Sequence, residues 1–554
     1  MIRVAKDGTE LPSTRFIRTS LLADGFVKDH PFTQLASHYY VFTIVDSTAL
    51  DDLLTFALVS DCCVGNTPNR VNPKCIGIPV PPDDPYLRLT GIRCLNLTRF
   101  TTFQDLGCIS NSLAAERVNR ATPLLDLSVI YGNSNITERS VRVYQAGLLK
   151  TVGRGTIETP PGNSPVCINN RLPFENKCYE YGDVIDGNVL VGTNLPALWF
   201  YREHNRIAKK LKDINPCWDD QKLYQTAKDI NIAEHQYIFY YELIVEIIGK
   251  KNALAEGIVH ETDGYVNDFD SSYEPGVILE YLQGARWFHT FQDAKTDLYN
   301  QSGKYVGTRP TVEDIFRSGL LEVNNLESQL TQGAFRQSSA KFDYTMDPDL
   351  SERLLGNLSA ASDLMAFDIM RGRDLGLQPY NEYRKLCGLP VAKKFEDFED
   401  TIDKGKVETL KRLYDDVDDM EFMTAIYAEK LIHDGWVGPT LYCAMVQNLL
   451  LWRRADLYFF EHGEHPARLT LPQLNEIRKS SIAKLICNNG DGVIRIQPKA
   501  FLRIDHENEM TPCEEIPEVD LEKWLDPKCA KDYDDKKKQW DPSQEYSITD
   551  HDFN

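Results

Sequence analysis

Histidine is a side-chain type suited to metal chemistry, and one of the 11 histidines in this sequence is His289, in segment 285–290 (Ala-Arg-Trp-Phe-His-Thr). A neutral imidazole can bind a metal through one ring nitrogen while the other nitrogen donates to an acceptor. A histidine in a helix can also be a core residue held by its neighbours, and the residue types alone leave that alternative open. No histidine occurs between His38 and His204, so this long stretch provides no imidazole base for acid–base chemistry.

Other candidate residues occur in less specific patterns. His462 and His465 are metal-capable types, but the intervening Gly463 predicts a loop, and we expect no metal site there. Arg202 and His204 are expected to support helix packing. The sequence contains no P-loop, no Gly-x-Ser-x-Gly segment and no His-Glu-x-x-His segment, so common signatures of nucleotide, serine-hydrolase and zinc-protease sites are missing.

The composition is that of a large globular protein. With 554 residues and 42% hydrophobic content, the chain can bury a sizeable core. The net charge of -21 and the pI near 5.1 argue against nucleic-acid and anionic-membrane partners, which need basic surfaces. The most apolar helical stretch, 437–452, is interrupted by polar residues and falls short of the roughly 18 to 20 apolar residues of a membrane span. We therefore predict no transmembrane segment.

The 13 cysteines favour disulfide bonds, because the sequence contains no Cys-x-x-Cys pair with metal-site spacing. Four Asn-x-Ser/Thr sequons are compatible with secretion and glycosylation. They are Asn96, Asn135, Asn300 and Asn357. The first residues, Met-Ile-Arg-Val-Ala-Lys-Asp-Gly, lack the apolar segment of a signal peptide. We therefore expect a secreted, extracellular protein in a mature or truncated form.

The pattern along the chain predicts a mainly α fold. Residues 1–190 are rich in Pro, Gly and Cys, which predicts irregular loops connected by disulfides. From about Thr193 an apolar stripe indicates a helix, with Asn194 as its N-cap. Further helices are predicted over 221–248, 272–291, 349–355, 407–414, 420–431, 441–457 and 471–486. The charged residues 526–554 predict a disordered tail.

Three separated segments together resemble the animal haem peroxidase family. They are 202–208 (Arg-Glu-His-Asn-Arg-Ile-Ala), 285–290, and 368–376 (Asp-Ile-Met-Arg-Gly-Arg-Asp-Leu-Gly) followed by Pro-Tyr-Asn at 379–381. Segments 122–128 (Thr-Pro-Leu-Leu-Asp-Leu-Ser) and 386–390 (Leu-Cys-Gly-Leu-Pro) add to the resemblance, which extends over about 7–524. Their order and separation are similar to those of that family.

The resemblance implies one large, mainly α domain over 1–525 with disulfide-linked N-terminal loops. It also implies haem b as cofactor and hydrogen peroxide as oxidant, with His289 on the iron and Arg286 on a haem propionate. Asp368 stands where the family has an asparagine that orients the proximal imidazole, and a carboxylate there would make the ligand more electron-donating. The alternative for Asp368 is an exposed or helix-capping residue. Arg371, Arg373 and Asp374 are expected to form structural ion pairs, and the implied disulfides are Cys167–Cys178, Cys387–Cys443 and Cys487–Cys513.

The resemblance fails on the side where peroxide would react. The family has a Gln-x-x-Asp-His-Asp stretch, and the best match here, 47–52, places Leu50 at the first aspartate and Asp51 at the histidine. Asp51 could act as a substitute base, or it could be a solvated carboxylate. Segment 182–188 contains no arginine at the position of the distal arginine, which leaves Ile185 or Asp186 there. Leu50 could not form the family's ester link, so haem would be held without covalent bonds.

The resemblance further implies a calcium site. Its ligands would be Thr122, the carbonyl of Leu124, Asp126 and Ser128, together with Asp52, the aspartate after the distal histidine position. Hard oxygen ligands of this kind suit Ca²⁺. The alternative for the loop is a short capped turn.

These observations predict a secreted pseudo-peroxidase with little or no turnover, because the distal histidine and arginine are absent. The predicted partners are haem, hydrogen peroxide and an unidentified extracellular protein. The competing hypothesis is an active haem peroxidase that oxidises donors with hydrogen peroxide.

Overall fold

The computed structural model describes residues 2–25, 28–50, 62–108, 110, 115–153, 158–162, 178–183, 186–188, 190–310, 317–340, 345–353 and 362–529. The fold is mainly α, as predicted, with 44% of the described residues in helices and 11% in strands. None of the described helices is long and apolar enough to cross a membrane.

The helices are short except at the centre of the molecule. In chain order they are α1 (Thr14–Leu21), α2 (Gln34–Ser47), α3 (Ser128–Tyr131), α4 (Asn135–Val141), α5 (Val191–Ile214), α6 (Asp220–Tyr237), α7 (Val245–Ile248), α8 (Lys250–Ala255), α9 (Leu279–Gly284), α10 (Leu326–Arg336), α11 (Pro348–Glu352), α12 (Leu364–Leu375), α13 (Tyr380–Leu386), α14 (Lys404–Leu413), α15 (Phe422–Ile426), α16 (Pro439–Ala455), α17 (Leu471–Ile477) and α18 (Ile482–Asn489). A 3₁₀ helix, Ala285–Phe291, continues directly from α9.

The strands form two-stranded ladders among the described residues. They are β1 (Ala23–Asp24), β2 (Lys28–Thr33), β3 (Cys63–Val64), β4 (Thr67–Pro68), β5 (Ile78–Pro79), β6 (Cys94–Leu95), β7 (Lys295–Tyr299), β8 (Tyr305–Pro310), β9 (Ser338–Ala340), β10 (Thr345–Met346), β11 (Arg495–Ile496) and β12 (Thr511–Pro512). The parallel pair β1–β10 and the antiparallel pair β2–β9 connect the N-terminal region to residues more than 300 positions later.

Helices α5 and α6 form the centre of the core and pack against each other and against α2. The apolar run 195–201 of α5 is buried, as expected for a helix that is apolar on all sides. Helix α6 continues into a π-helical turn, Ile238–Ile244, and then into α7. The predicted helix over 221–248 is therefore confirmed in extent. The predicted N-cap Asn194 is wrong, because α5 begins at Val191.

The prediction that 1–190 is largely irregular misses four helices among the described residues of this region, of which α1 and α2 are the longest. Every residue of α2 is buried apart from Val41, Ile44 and Val45, which are half-buried. A helix buried on nearly every side has no polar face, so its sequence lacks the amphipathic period that identifies a surface helix.

Other helix boundaries differ where turns interrupt an apolar pattern. The region predicted as 272–291 becomes helical only at Leu279, and the region 471–486 divides into α17 and α18. The region 420–431 contains only the short α15. Tertiary packing stabilises such short helices, so local periodicity overestimates their length.

Disulfides connect distant parts of this framework. The predicted Cys387–Cys443 and Cys487–Cys513 bonds are confirmed. Further bonds are Cys62–Cys75, Cys63–Cys94 and Cys217–Cys529. Cys178 is disulfide-bonded, but Cys167 lies outside the described residues, so their pairing stays a prediction. Cys108 is a free, exposed thiol.

Candidate functional site

His289 lies in the 3₁₀ helix after α9, with only 10% of its side chain exposed. Its Nδ1 atom is 2.8 Å from Oδ2 of Asp368. Its Nε2 atom forms no hydrogen bond with the described residues. One ring nitrogen is thus fixed by an acceptor while the other stays available, which is the arrangement of an imidazole metal ligand.

Asp368 is fully buried in α12 and accepts three side-chain hydrogen bonds. Nη1 of Arg286 is 3.2 Å from Oδ1, and the hydroxyl of Tyr427 donates to Oδ2 at 3.0 Å. Burial by itself would raise the pKa of Asp368, but the charge and hydrogen bond of His289, with Arg286 and Tyr427, hold it below its usual value. The prediction that Asp368 faces His289 is confirmed by this geometry, and the exposed or capping alternative is wrong.

Two further residues hold this cluster, and no sequence pattern indicated either of them. Tyr427 follows α15, almost 60 residues after Asp368 in the chain, and its hydroxyl donor becomes adjacent only in the folded structure. Gln283 in α9 donates from Nε2 to the backbone carbonyl of Asp368 at 2.7 Å. Helix α12 is thereby connected to the segment that bears His289 through both the backbone carbonyl and the carboxylate of Asp368.

The ends of α12 are fixed by ion pairs. The carboxylate of Asp363 accepts the amide of Ala366 at 3.0 Å and so caps the helix, and it also pairs with the buried Arg15 at 2.6 Å. Near the other end, Nε of Arg373 is 2.6 Å from Glu421. The ion pairs expected for Arg373 and Asp374 are therefore confirmed, the latter with Arg99 at 2.6 Å.

Helix α2 faces the same segment from another side. The ring of Tyr40 lies with its centroid 5.5 Å from that of Phe288, the residue immediately before His289. The half-buried residues Val41, Ile44 and Val45 share a stripe of α2 at spacings of three and four residues. This stripe carries no group that could take up or donate a proton.

His38 is the one histidine in α2, and its surroundings favour a structural role. It is 3% exposed, and burial lowers its pKa to about 4. A Cβ atom at Gly192 of α5 would lie 2.7 Å from its Nε2, so the two helices can approach this closely only with glycine at that position. His38 is therefore a neutral residue at a tight helix contact.

Asp46, near the C-terminal end of α2, holds the loop before α3. Its Oδ2 accepts the amide of Leu127 at 3.0 Å, and its Oδ1 accepts the amide of Val129 at 3.2 Å. The hydroxyl of Ser128 donates to the Asp46 carbonyl at 2.8 Å. Asp46 was not among the candidate residues from sequence, because it precedes the stretch 47–52 that was matched to the family pattern.

The predicted calcium loop is compact. Asp126 accepts the amide of Ser128 at 3.1 Å and the hydroxyl of Thr122. Desolvation, followed by the nearby charge of Asp46, raises the pKa of Asp126 to about 7. Two carboxylates therefore lie close enough to repel each other, which a bound cation would relieve.

Several predicted site residues cannot be compared with the structure. Asp51, Asp52 and Ile185 lie outside the described residues, while Asp186 begins a short 3₁₀ turn, Asp186–Asn188. Leu50 forms an isolated bridge with Asn119. Within the described ranges, no group of three or more His, Cys, Asp or Glu residues could hold a metal ion.

The other histidines of the sequence patterns have structural partners. Nδ1 of His204 is 2.9 Å from the Tyr131 hydroxyl, and its Nε2 is 2.8 Å from the carbonyl of Gly147. Nε2 of His462 is 2.9 Å from Asp268. These contacts agree with the expected packing role of His204 and give His462 a hydrogen-bond partner in Asp268.

Comparison with known proteins identifies the family. The family model for animal haem peroxidases matches residues 1–501. The chain belongs to this family. It is 33% identical over 532 residues to a peroxidase of Drosophila melanogaster, covering 94% of this chain and 77% of that protein. It is 30% identical to a chorion peroxidase of Aedes aegypti over 93% of this chain and 66% of that protein.

This animal haem peroxidase chain is shorter than some relatives. It spans 36% of the human peroxidasin homolog, to which it is 28% identical over 95% of its own length. Among solved structures, peroxidase A from Dictyostelium discoideum superposes with a TM-score of 0.72 at 21% identity, covering 89% of this chain and 91% of that chain. A fatty acid α-dioxygenase of Oryza sativa superposes with a TM-score of 0.69 at 18% identity, covering 92% and 83%. These structures support the fold alone.

Proposed function

We propose that this chain is an extracellular, haem-binding member of the animal haem peroxidase family with little or no peroxidase turnover. The observation that carries the proposal is the contact of Asp46 with the loop at Leu127 and Val129. In the family pattern Gln-x-x-Asp-His-Asp, the last aspartate belongs to the calcium loop. The contact therefore favours Asp46 as that aspartate.

This register assigns an apolar residue to each distal position. Val45 takes the place of the histidine, Ile44 that of the first aspartate and Val41 that of the glutamine. These are the three half-buried residues of the α2 stripe. We therefore replace the earlier register, in which Asp51 stood at the histidine, although neither register contains an imidazole.

The missing groups are those that peroxide cleavage needs. A general base contributes about 10² to 10⁴ in rate, and a donor that stabilises developing charge contributes about 10² to 10³. Valine and isoleucine cannot take up or return a proton. With Ile185 or Asp186 at the position of the distal arginine, no guanidinium compensates there.

The residues on the proximal side fit a haem. His289 would hold the iron through Nε2, Asp368 fixes the opposite ring nitrogen, and Arg286 is the candidate for a haem propionate. When bound, the haem would supply the iron centre at which electron transfer or ligand binding takes place. Ile44 cannot form an ester link, so we propose a non-covalent haem b.

We also propose calcium at the loop 122–128. Its ligands would be Thr122, the carbonyl of Leu124, Asp126 and Ser128, with Asp46 in the place previously given to Asp52. The raised pKa of Asp126 beside Asp46 supports this, because two adjacent carboxylates are stabilised by a divalent cation.

An absorption spectrum and a peroxide assay test the function. We expect a Soret band from the purified protein, and oxidation of a phenolic donor that is slow compared with an active peroxidase. Val45→His combined with Ile185→Arg should raise turnover by at least tenfold. The matched control, Asp51→His with Ile185→Arg, should give no gain.

The competing function is a working peroxidase, which the identity to a protein named peroxidase favours. Fast donor oxidation by the unaltered protein that is lost in His289→Ala would establish that function and refute ours. The extracellular location is supported by the disulfides and by the chorion peroxidases among the relatives. An extracellular protein partner stays a prediction.

A further inference from the structure

We propose that Tyr427 is a positioning residue that limits how strongly Asp368 draws the Nδ1 proton of His289, and that it thereby sets the redox preference of an iron held by His289. The inference rests on the haem binding proposed above. It concerns residues of this chain that already contact one another.

The geometry makes one oxygen the shared acceptor. Oδ2 of Asp368 is 2.8 Å from Nδ1 of His289 and 3.0 Å from the Tyr427 hydroxyl. The other oxygen, Oδ1, is 3.2 Å from Nη1 of Arg286. All three donors approach a carboxylate that is fully buried, so water does not occupy its remaining lone pairs.

Two donors on one carboxylate oxygen compete for its negative charge. Each N–H or O–H donor withdraws electron density, so the oxygen that accepts from Tyr427 pulls less strongly on the imidazole proton. In a buried site solvent does not screen this competition between the two donors. The hydroxyl of Tyr427 therefore weakens a hydrogen bond in which it takes no part.

The strength of that hydrogen bond determines how electron-rich the imidazole is. An acceptor that pulls strongly on the Nδ1 proton makes Nε2 more basic, and a more basic ligand stabilises ferric over ferrous iron. Loss of the Tyr427 hydroxyl should strengthen the pull. Replacement of the Asp368 carboxylate by an amide should weaken it.

Removal of the Tyr427 hydroxyl and removal of the Asp368 carboxylate must therefore shift the midpoint potential of the iron in opposite directions. In the haem-loaded full chain, Tyr427→Phe should lower the ferric/ferrous midpoint potential and Asp368→Asn should raise it. We expect at least a tenfold change in the ferric-to-ferrous ratio at fixed solution potential between the two variants, or about 59 mV for this one-electron couple. A purely structural role for Tyr427 would not give the opposite sign.

Tyr414 provides a matched control. Its hydroxyl donates at 2.9 Å to Glu421, a buried carboxylate that is also paired with an arginine. Tyr414→Phe removes an equivalent hydrogen bond outside the His289 cluster and should leave the potential unchanged. Dithionite titration followed by absorption gives the potential, and Raman spectroscopy of the ferrous protein gives the iron–histidine stretching frequency as a second readout.

The outcomes separate the inference from the proposed function. A protein that takes up no haem would overturn the proposed function. Haem-bound variants whose potentials move in the same direction, or do not move, would overturn only the inference. If Tyr427→Phe does not retain haem, Tyr427→Met replaces it. A stretching frequency in Asp368→Asn that equals that of the unaltered protein would also count against the inference.

Discussion

The amide nitrogen of Leu127 lies 3.0 Å from Oδ2 of Asp46 and donates a hydrogen bond to it. This contact joins the C-terminal end of α2 to the loop 122–128. In the register that we propose from it, valine and isoleucine occupy the positions of acid–base residues on one face of α2. The contact can be examined independently of peroxide chemistry, through calcium and stability.

Asp46→Asn should abolish calcium-dependent stabilisation. In the unaltered protein, calcium at 100 times its Kd should add about 2.7 kcal/mol to the free energy of unfolding. Asp126→Asn should remove the same increment, whereas Asp52→Asn should retain it. Thermal unfolding in EDTA and in excess calcium measures the difference, and an increment that Asp52→Asn alone removes would restore the earlier register.

His289→Ala should prevent haem retention without unfolding the protein. The side chain is largely buried, so a loss of about 2 kcal/mol in the apoprotein is expected from the cavity and the lost hydrogen bond. The ratio of Soret to protein absorbance should fall to background. His506→Ala, at a histidine that is 87% exposed, is the control and should retain haem. Equal haem content in both variants would refute the ligand assignment.

Arg15→Met should destabilise the protein strongly. Arg15 is fully buried and pairs with Asp84 at 2.7 Å, Asp363 at 2.6 Å and Glu352 at 2.9 Å. Removing one partner of such a buried cluster costs about 3 to 5 kcal/mol because the remaining carboxylates lose their compensation. Urea unfolding measures the loss. Arg70→Met, at an exposed ion pair, should change the free energy by less than about 1 kcal/mol.

His204 should contribute to acid sensitivity. Burial lowers its pKa in the folded protein to about 4, whereas the unfolded chain has a pKa near 6.5. The stability that neutral His204 provides is therefore present above pH 6.5 and is lost progressively as the pH falls from 6.5 to 4. His204→Gln should reduce the slope of unfolding free energy against pH by about 1.4 kcal/mol per unit in this window. His433→Gln, at a side chain that is 92% exposed, should leave the slope unchanged, and an unchanged slope in both variants would contradict the assignment.

Part of the site could be predicted from local sequence. His289, Arg286 and Asp368 lie in short segments whose residue types and order are distinctive, and the fold brings all three together. The prediction of a mainly α fold succeeded for a related reason, since α5, α6 and α16 are long enough for their apolar pattern to be read.

The residues that the sequence did not indicate are defined by contacts across long separations. Helix α2 is buried on nearly every side and so has no amphipathic pattern, which left the register of the distal stretch undetermined. Two adjacent aspartates at 51 and 52 match the acidic motif in the first register, whereas the register that we propose uses Asp46. The hydrogen bonds of Asp46 with the amides of Leu127 and Val129, which support the proposed register, depend on the folded structure.

The sequence by itself determined which chemical groups are available: an imidazole at 289, a carboxylate at 368 and no histidine between positions 38 and 204. Tertiary structure alone decided which groups meet. The hydroxyl of Tyr427 contacts Asp368 because α12 and the segment after α15 pack together. Hydrogen bonds are short and directional, so their partners depend on folded distances that sequence spacing does not specify.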